Sequence, residues 1–336
     1  TKSPKVRSFM TTTLFPIKFE NAYRAEDSSN EELSPPSGLC FTHDGNLLLS
    51  DDFNHRVQIY DSQFNLLNSF GSKGKEPGQF QYPKGIAVDP EGNIYVADSW
   101  NHRVQKFDAK GTSLLTFGTC GDGKGELNEP YDIMVEPSGN LIVVERYNHR
   151  IQFFDPQGLS LGWLGDRGTV LERQLAELLG TPENLLDPIL FEFPTSIAKD
   201  SQGNFFITDS GNHRVRKFSS QWQEILSFGE MGTEPGQFQY PLCVTVAPNN
   251  LLYIADLNNE RVQVFSPFGK YLFSIDEINS GQAFEAPCLT AIDPKGCLHI
   301  GFTFNTRIFK YLIPLVSQNT LAESLASVPE PDPAHI

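Results

Sequence analysis

The feature that most constrains this chain is a short motif that returns at a nearly fixed interval. Asn54-His55-Arg56-Val57-Gln58 is followed by Asn101-His102-Arg103-Val104-Gln105, Asn148-His149-Arg150-Ile151-Gln152 and Asn212-His213-Arg214-Val215-Arg216. Two degenerate copies complete the series, Asn259-Glu260-Arg261-Val262-Gln263 and Asn305-Thr306-Arg307-Ile308-Phe309. The asparagines are spaced 47, 47, 64, 47 and 46 residues apart, so the long interval is one period plus an insertion of 17. A repeat of this length denotes one supersecondary unit whose neighbours bury its apolar face.

Each unit has the same internal order. A proline opens an apolar run, as in Pro83-Lys84-Gly85-Ile86-Ala87-Val88, with counterparts at Pro36, Pro130, Pro194, Pro241 and Pro287. A turn such as Pro90-Glu91-Gly92-Asn93 supplies the residues that tolerate positive φ in a tight hairpin. A short alternating strand follows, then the Asn-His-Arg turn, a third strand and a fourth. The fourth ends in Phe-Gly at Phe70-Gly71, Phe117-Gly118 and Phe228-Gly229. Four short strands per repeat predict a propeller blade, and six copies predict six blades. The fold class is therefore all-β: a six-bladed β-propeller of four-stranded antiparallel blades.

These copies resemble the NHL-repeat family, with arginine at the third motif position in all six. The resemblance covers about residues 36 to 311. It implies a six-bladed NHL β-propeller. It also implies a recognition platform, since NHL domains commonly serve as one.

An acid stands three residues before the asparagine in five copies, at Asp51, Asp98, Glu145, Asp209 and Asp256. The arginine stands two after it. Acid and arginine then flank one turn, so Asn54, Arg56, Asp98, Asn101, Arg103, Asn148, Arg150, Asn212, Arg214, Asn259 and Arg261 are read as structural. Phe302 replaces the acid in the sixth copy, so that turn is expected to be held differently and more loosely. The four motif histidines fall in different blades, too far apart to share a metal.

Ring closure is assigned to the N-terminal segment. Residues 1–20, with the strand-like stretch Ser8 to Phe19, are expected to supply the outer strand of blade six and cover an open edge. The propeller is bounded at 21–317. A helical insertion at about 166–190, between blades three and four, carries Leu171, Leu175, Leu178 and Leu179 at helical spacing and is read as a decoration, a lid or a docking element. Residues 318–336, with Pro329, Pro331 and Pro333, read as a tail.

Function is expected at the channel mouth or on the turn tips. The two positions after each opening proline are Ser37 and Gly38, Lys84 and Gly85, Tyr131 and Asp132, Thr195 and Ser196, Leu242 and Cys243, and Cys288 and Leu289. Asp132 alone is a hard metal ligand there, so no metal and no cofactor are expected. No HExxH, P-loop or GxSxG pattern occurs, and no catalytic residue is assigned. The residues just before the asparagines are Phe53, Trp100, Tyr147, Gly211, Asn258 and Phe304; four of the six are aromatic where a turn alone favours small polar residues. With Lys84, Tyr131, Asp132, Arg146 and Leu257 they form the expected partner-binding face, because aromatics and arginine most often anchor interfaces.

The leading reading is a non-catalytic module that binds another protein or peptide through this face, as one part of a larger chain or complex. One alternative is an RNA-binding NHL domain. Against it stand 41 acidic residues to 26 basic ones, a formal charge of -15, and the few local cations Lys84, Lys124 and Arg146. The other alternative is a metal-dependent lyase or lactone hydrolase at the channel mouth. No run approaches the roughly 18 apolar residues of a membrane span. Five cysteines without a CxxC, and no apolar leader after Lys2, Lys5 and Arg7, suggest the cytoplasm.

Overall fold

The computed structural model describes residues 17–24, 34–167, 190–276, 284–304 and 306–313. Six four-stranded antiparallel sheets form the blades of a propeller. Their inner strands are Gly38–Phe41, Pro83–Val88, Pro130–Val135, Pro194–Lys199, Pro241–Val246 and Pro287–Ile292. The first five blades are each built from consecutive strands, as the repeat requires.

Apolar side chains from neighbouring blades interlock to make the core. Leu48, Val57 and Ile59 of blade one pack with Ile86, Ile94, Val96 and Phe107 of blade two. The same stacking recurs between blades three and four through Ile142, Val144 and Ile151 against Ile197, Phe205 and Ile207. This explains the second-strand pattern: Ile94–Asp98 and Leu252–Asp256 are buried at every position because both faces meet another blade.

The Phe-Gly ending also has a packing cause. Gly71 has φ 102°, and a Cβ there would lie 2.5 Å from the ring of Phe80, which is fully buried. Gly165 and Gly229 stand in the same relation to Phe191 and Phe238. The glycine thus leaves room for the aromatic wedge that enters from the connection to the next blade.

Blade six is closed by the N-terminal segment. Strand Lys18–Arg24 pairs antiparallel with Arg307–Leu312, with Lys18 opposite Leu312 and Arg24 opposite Arg307. Phe19 packs edge-on against Phe309 and Tyr311, with centroids 5.6 and 5.5 Å away. The described closing strand therefore runs past Phe19 to Arg24. The earlier part of that stretch lies outside the described residues.

So do the predicted insertion helices and the C-terminal tail. At the neck of the insertion, Asp166–Arg167 pairs in parallel with Leu190–Phe191. In blade six, Phe302 fills the position of the acid and is fully buried, edge-on to Phe284 at 5.0 Å and Phe309 at 4.8 Å. An apolar side chain there takes the place of the acid of the other blades. Among the described residues no helix is long and apolar enough to cross a membrane.

Candidate functional site

The motif residues come first, because their roles decide what is left for function. Acid and arginine face each other across the second hairpin as Asp51 and Arg56, Asp98 and Arg103, Glu145 and Arg150, Asp209 and Arg214, and Asp256 and Arg261. Each arginine Nε donates to its carboxylate at 2.6–3.0 Å, and each carboxylate is fully buried. The motif asparagine donates to the same carboxylate, at 2.9 Å from Asn101 and 2.6 Å from Asn148.

The arginines also reach beyond their own turn. Arg103 donates to the carbonyls of Lys75 at 2.6 Å, Glu76 at 3.0 Å and Gln79 at 2.8 Å, all on the connection from the preceding blade. Arg261 binds the carbonyls of Thr233, Glu234 and Gln237 in the same way. Gln105 completes the clamp by accepting from the Gly78 N–H and donating to the Gln79 carbonyl.

The histidines have a separate task. His55, His102 and His213 cap their turns in the left-handed region, with φ between 53° and 57°. Their Nδ1 atoms accept the backbone N–H of Tyr82, Glu129 and Tyr240 in the next blade, at 3.2, 3.3 and 3.0 Å. His149 does the same for Phe193 at 3.2 Å. An acceptor Nδ1 requires the neutral ring, and burial holds the pKa of His55 and His102 below the ordinary value.

The four clamped residues each precede a blade-opening proline and have φ of 47–66°. A residue before proline is sterically restricted, and positive φ is uncommon for non-glycine residues. The histidine bond secures this conformation, which turns Tyr82, Glu129 and Tyr240 into the lining of the central channel.

That channel encloses about 910 Å³. Of the residues expected to bind a partner, Phe53, Lys84, Trp100, Tyr131, Asp132, Arg146 and Leu257 line it, whereas Tyr147 and Phe304 lie outside the lining. Phe53, Trp100, Tyr147 and Phe304 are 64%, 56%, 50% and 75% exposed. Tyr82 lies between two of them, edge-on to Phe53 at 5.7 Å and tilted against Trp100 at 4.6 Å. Tyr147 meets Phe193 edge-on at 5.8 Å. Tyr82, Glu129, Phe193 and Tyr240 were missed in the sequence, although the position before the proline varies as freely as the one before the asparagine.

Two cations flank the Tyr131 ring, the Lys84 ammonium at 5.7 Å and the Arg146 guanidinium at 5.3 Å from its centroid. Both have acidic partners. Lys84 bonds Asp52 at 2.7 Å and the Ser37 hydroxyl at 3.1 Å. Arg146 donates to the Tyr240 hydroxyl at 2.9 Å and approaches Glu129 at 3.4 Å.

One residue deeper, the half-buried Asp132 accepts the N–H of Ile133 at 2.8 Å and of Ile197 at 3.0 Å. Desolvation pushes its carboxyl up to about 6 despite those donors and the Ser196 hydroxyl. Burial likewise raises the thiols of Cys40, Cys243 and Cys288, which makes them poor nucleophiles. Among the described residues, no group of three or more histidine, cysteine, aspartate or glutamate side chains could hold a metal ion. The described residues around Asp132, with thiols at Cys40, Cys243 and Cys288 as its titratable neighbours, do not fit a metal centre.

A model of the NHL repeat matches residues 80–107, 191–218 and 238–265. These windows run from the wedge residues Phe80, Phe191 and Phe238 to the ends of the third strands of blades two, four and five. The chain carries NHL repeats, and they lie in a six-bladed propeller. No curated protein matches it. Solved structures of similar fold include a streptogramin B lyase, at 12% identity and TM-score 0.61, covering 88% of this chain and 98% of that one. A gluconolactonase from Xanthomonas campestris aligns at 14% identity and TM-score 0.61, over 89% and 97% of the two chains. The virginiamycin B lyase of Staphylococcus aureus with quinupristin aligns at 13% and 0.58, over 90% of each. At these identities the likeness is one of fold.

Proposed function

We propose that this NHL propeller is a non-catalytic recognition module that binds a protein or peptide on the face carrying the Asn-His-Arg turns. The observation that carries the reading is the set of large aromatics left in solvent beside the motif asparagines, two of which, Phe53 and Trp100, line the channel. Phe53, Trp100, Tyr147 and Phe304 are at least half exposed while the rest of the motif is consumed in structure. Contiguous exposed apolar side chains around a concavity mark interaction sites. The test is affinity capture with the wild type and a Trp100/Tyr147/Phe304 triple alanine variant. A partner kept by the first and lost by the second, at equal melting temperature, supports the reading; equal retention by both overturns it.

A second reading, a lyase or lactone hydrolase at the channel mouth, draws on Asp132. A carboxyl that titrates near 6 inside a cavity is suited to general acid–base work. Two lyases and a gluconolactonase share the fold. The described residues form no metal ligand set, so this reading rests on the Asp132 carboxyl and on no metal. Turnover of gluconolactone by the wild type that is lost in Asp132→Asn would favour this reading over the first.

A further inference from the structure

Among the described residues, the charges that line the channel are paired, with one exception. Lys84 is matched by Asp52, Arg146 by Glu129, and Lys199, toward the other end, by Glu136 at 2.8 Å. Asp132 lines the same cavity, and no cation is among the groups that bond it: the Ile133 and Ile197 amides and the Ser196 hydroxyl.

A structural role does not account for the charge. The bond from the Ile197 N–H to Asp132 ties the inner strand of blade three to that of blade four. At the equivalent position of blade four, the neutral Ser196 hydroxyl takes the Val244 N–H of blade five at 3.3 Å. In blade five the Cys243 sulfur takes the Thr290 N–H of blade six at 3.4 Å. The inter-blade link needs an acceptor and works without a charge. An unpaired carboxylate in a confined channel is costly to hold, so its charge is surplus to the fold.

We propose that Asp132 is the counter-ion of a subsite for a protonated nitrogen, the ammonium or guanidinium of a lysine or arginine side chain that the bound partner inserts through the channel mouth. This rests on the recognition reading above. The two cations at the mouth do not bar entry, because each is already neutralised by its acid. Aromatic faces at the rim attract cations in transit. The net charge of -15 steers a basic segment toward the protein and raises its rate of encounter. Each Asp132 oxygen already accepts one amide, and the Ser196 hydroxyl bonds the carboxylate too, but a carboxylate offers about four acceptor sites, so room remains for an incoming N–H.

The experiment is calorimetric titration with a blocked glycine–serine peptide carrying phenylalanines and one central lysine. Its twin carries Nε-acetyl-lysine, which has the same length and no charge. The wild type is expected to bind the lysine peptide about tenfold more tightly than the twin, the coupling of one close charge pair. Asp132→Ser keeps an inter-blade acceptor, as Ser196 does in blade four, and is expected to erase that preference while folding normally.

The wild type alone gives an independent readout. The preference should decline as pH falls through about 6, where Asp132 gains its proton, and binding near that pH should release protons. A preference that survives Asp132→Ser reports adhesion to the acidic surface and overturns the proposal. So does equal binding of the two peptides, or binding of neither. The aromatic triple variant separates the two readings. If it loses both peptides while the wild type does not discriminate between them, the subsite fails and the recognition face stands. If the captured native partner ignores the triple variant, the recognition face itself fails.

Discussion

The turn girdle and the channel are built by opposite uses of the same repeat. In the girdle, residues shared by the copies are spent on one another: Asp98 is bound by Asn101, Arg103 and Gln105 together. In the channel, the equivalent positions hold Gly38, Gly85, Asp132, Ser196, Cys243 and Leu289, and only the first two agree. The difference teaches where to look in a repeat protein. What recurs holds the ring, and what does not recur is free to recognise something.

The sharpest way to break this division is to cut the girdle. Arg103→Ala leaves the fully buried Asp98 without its cation and strips three carbonyls on the preceding connection of a donor. A loss of about 3–5 kcal/mol is expected by chemical denaturation, the usual cost of orphaning a buried charge. A loss below about 1 kcal/mol, the size of an exposed pair, would refute the clamp.

Gly38→Ala sharpens the comparison from the other side, because it is a channel position with a structural duty. A Cβ at Gly38 would lie 2.1 Å from the Lys84 carbonyl oxygen, where adjacent inner strands touch. Overpacking of this kind costs about 1–3 kcal/mol, and thermal melting should register it. An unchanged melting temperature would mean that the inner strands can part at little cost.

Next in size is the histidine clamp. His102→Gln should cost about 1 kcal/mol, the net worth of one hydrogen bond, and should loosen Glu129 at the mouth. The clamp also carries a pH dependence of fixed sign. The pKa values of His55 and His102 are lowered by burial, so the unfolded chain takes up these protons more readily. Their contribution is complete above about 6.5, the unperturbed value, and is lost as pH falls through the lowered values of the fold. Wild-type stability should therefore drop between neutral and mildly acidic pH, with a shallower slope in His102→Gln. A steeper slope in the variant would contradict the assignment.

The smallest expected effect is on the rim. Replacing Trp100, Tyr147 and Phe304 together should leave stability within about 0.5 kcal/mol per site, as for surface substitutions generally. A larger loss would show that the rim belongs to the core.

Much of this was legible in the sequence, and the reasons are local. The six-bladed ring follows from the period. The acid–arginine pairs follow from spacing, since residues five apart across a tight hairpin stand opposite each other, as Asp98 and Arg103 do. The rim aromatics stood out because Trp100 and Tyr147 occupy positions where a turn has no use for them.

What escaped was non-local or addressed to the backbone. Arg103 spends its guanidinium on carbonyls 24 to 28 residues upstream, and every residue type has a carbonyl. The histidines bind amides 27 residues ahead in three of four cases, again without a side-chain signature. That the closing strand runs on to Arg24 escaped as well. Strand Lys18–Arg24 is recruited by the bare edge and by the Phe309 and Tyr311 rings that Phe19 covers, and not by its own propensities.

That closing strand has a mechanical consequence. Lys18 and Leu312 are direct neighbours, so tethers attached at either side would leave the propeller from the same end of one antiparallel pair. Tension across them would load the backbone bonds one after another, as a zip is drawn, and not all at once in shear. A ring held together through every blade should therefore open first at this single seam when its two ends are pulled.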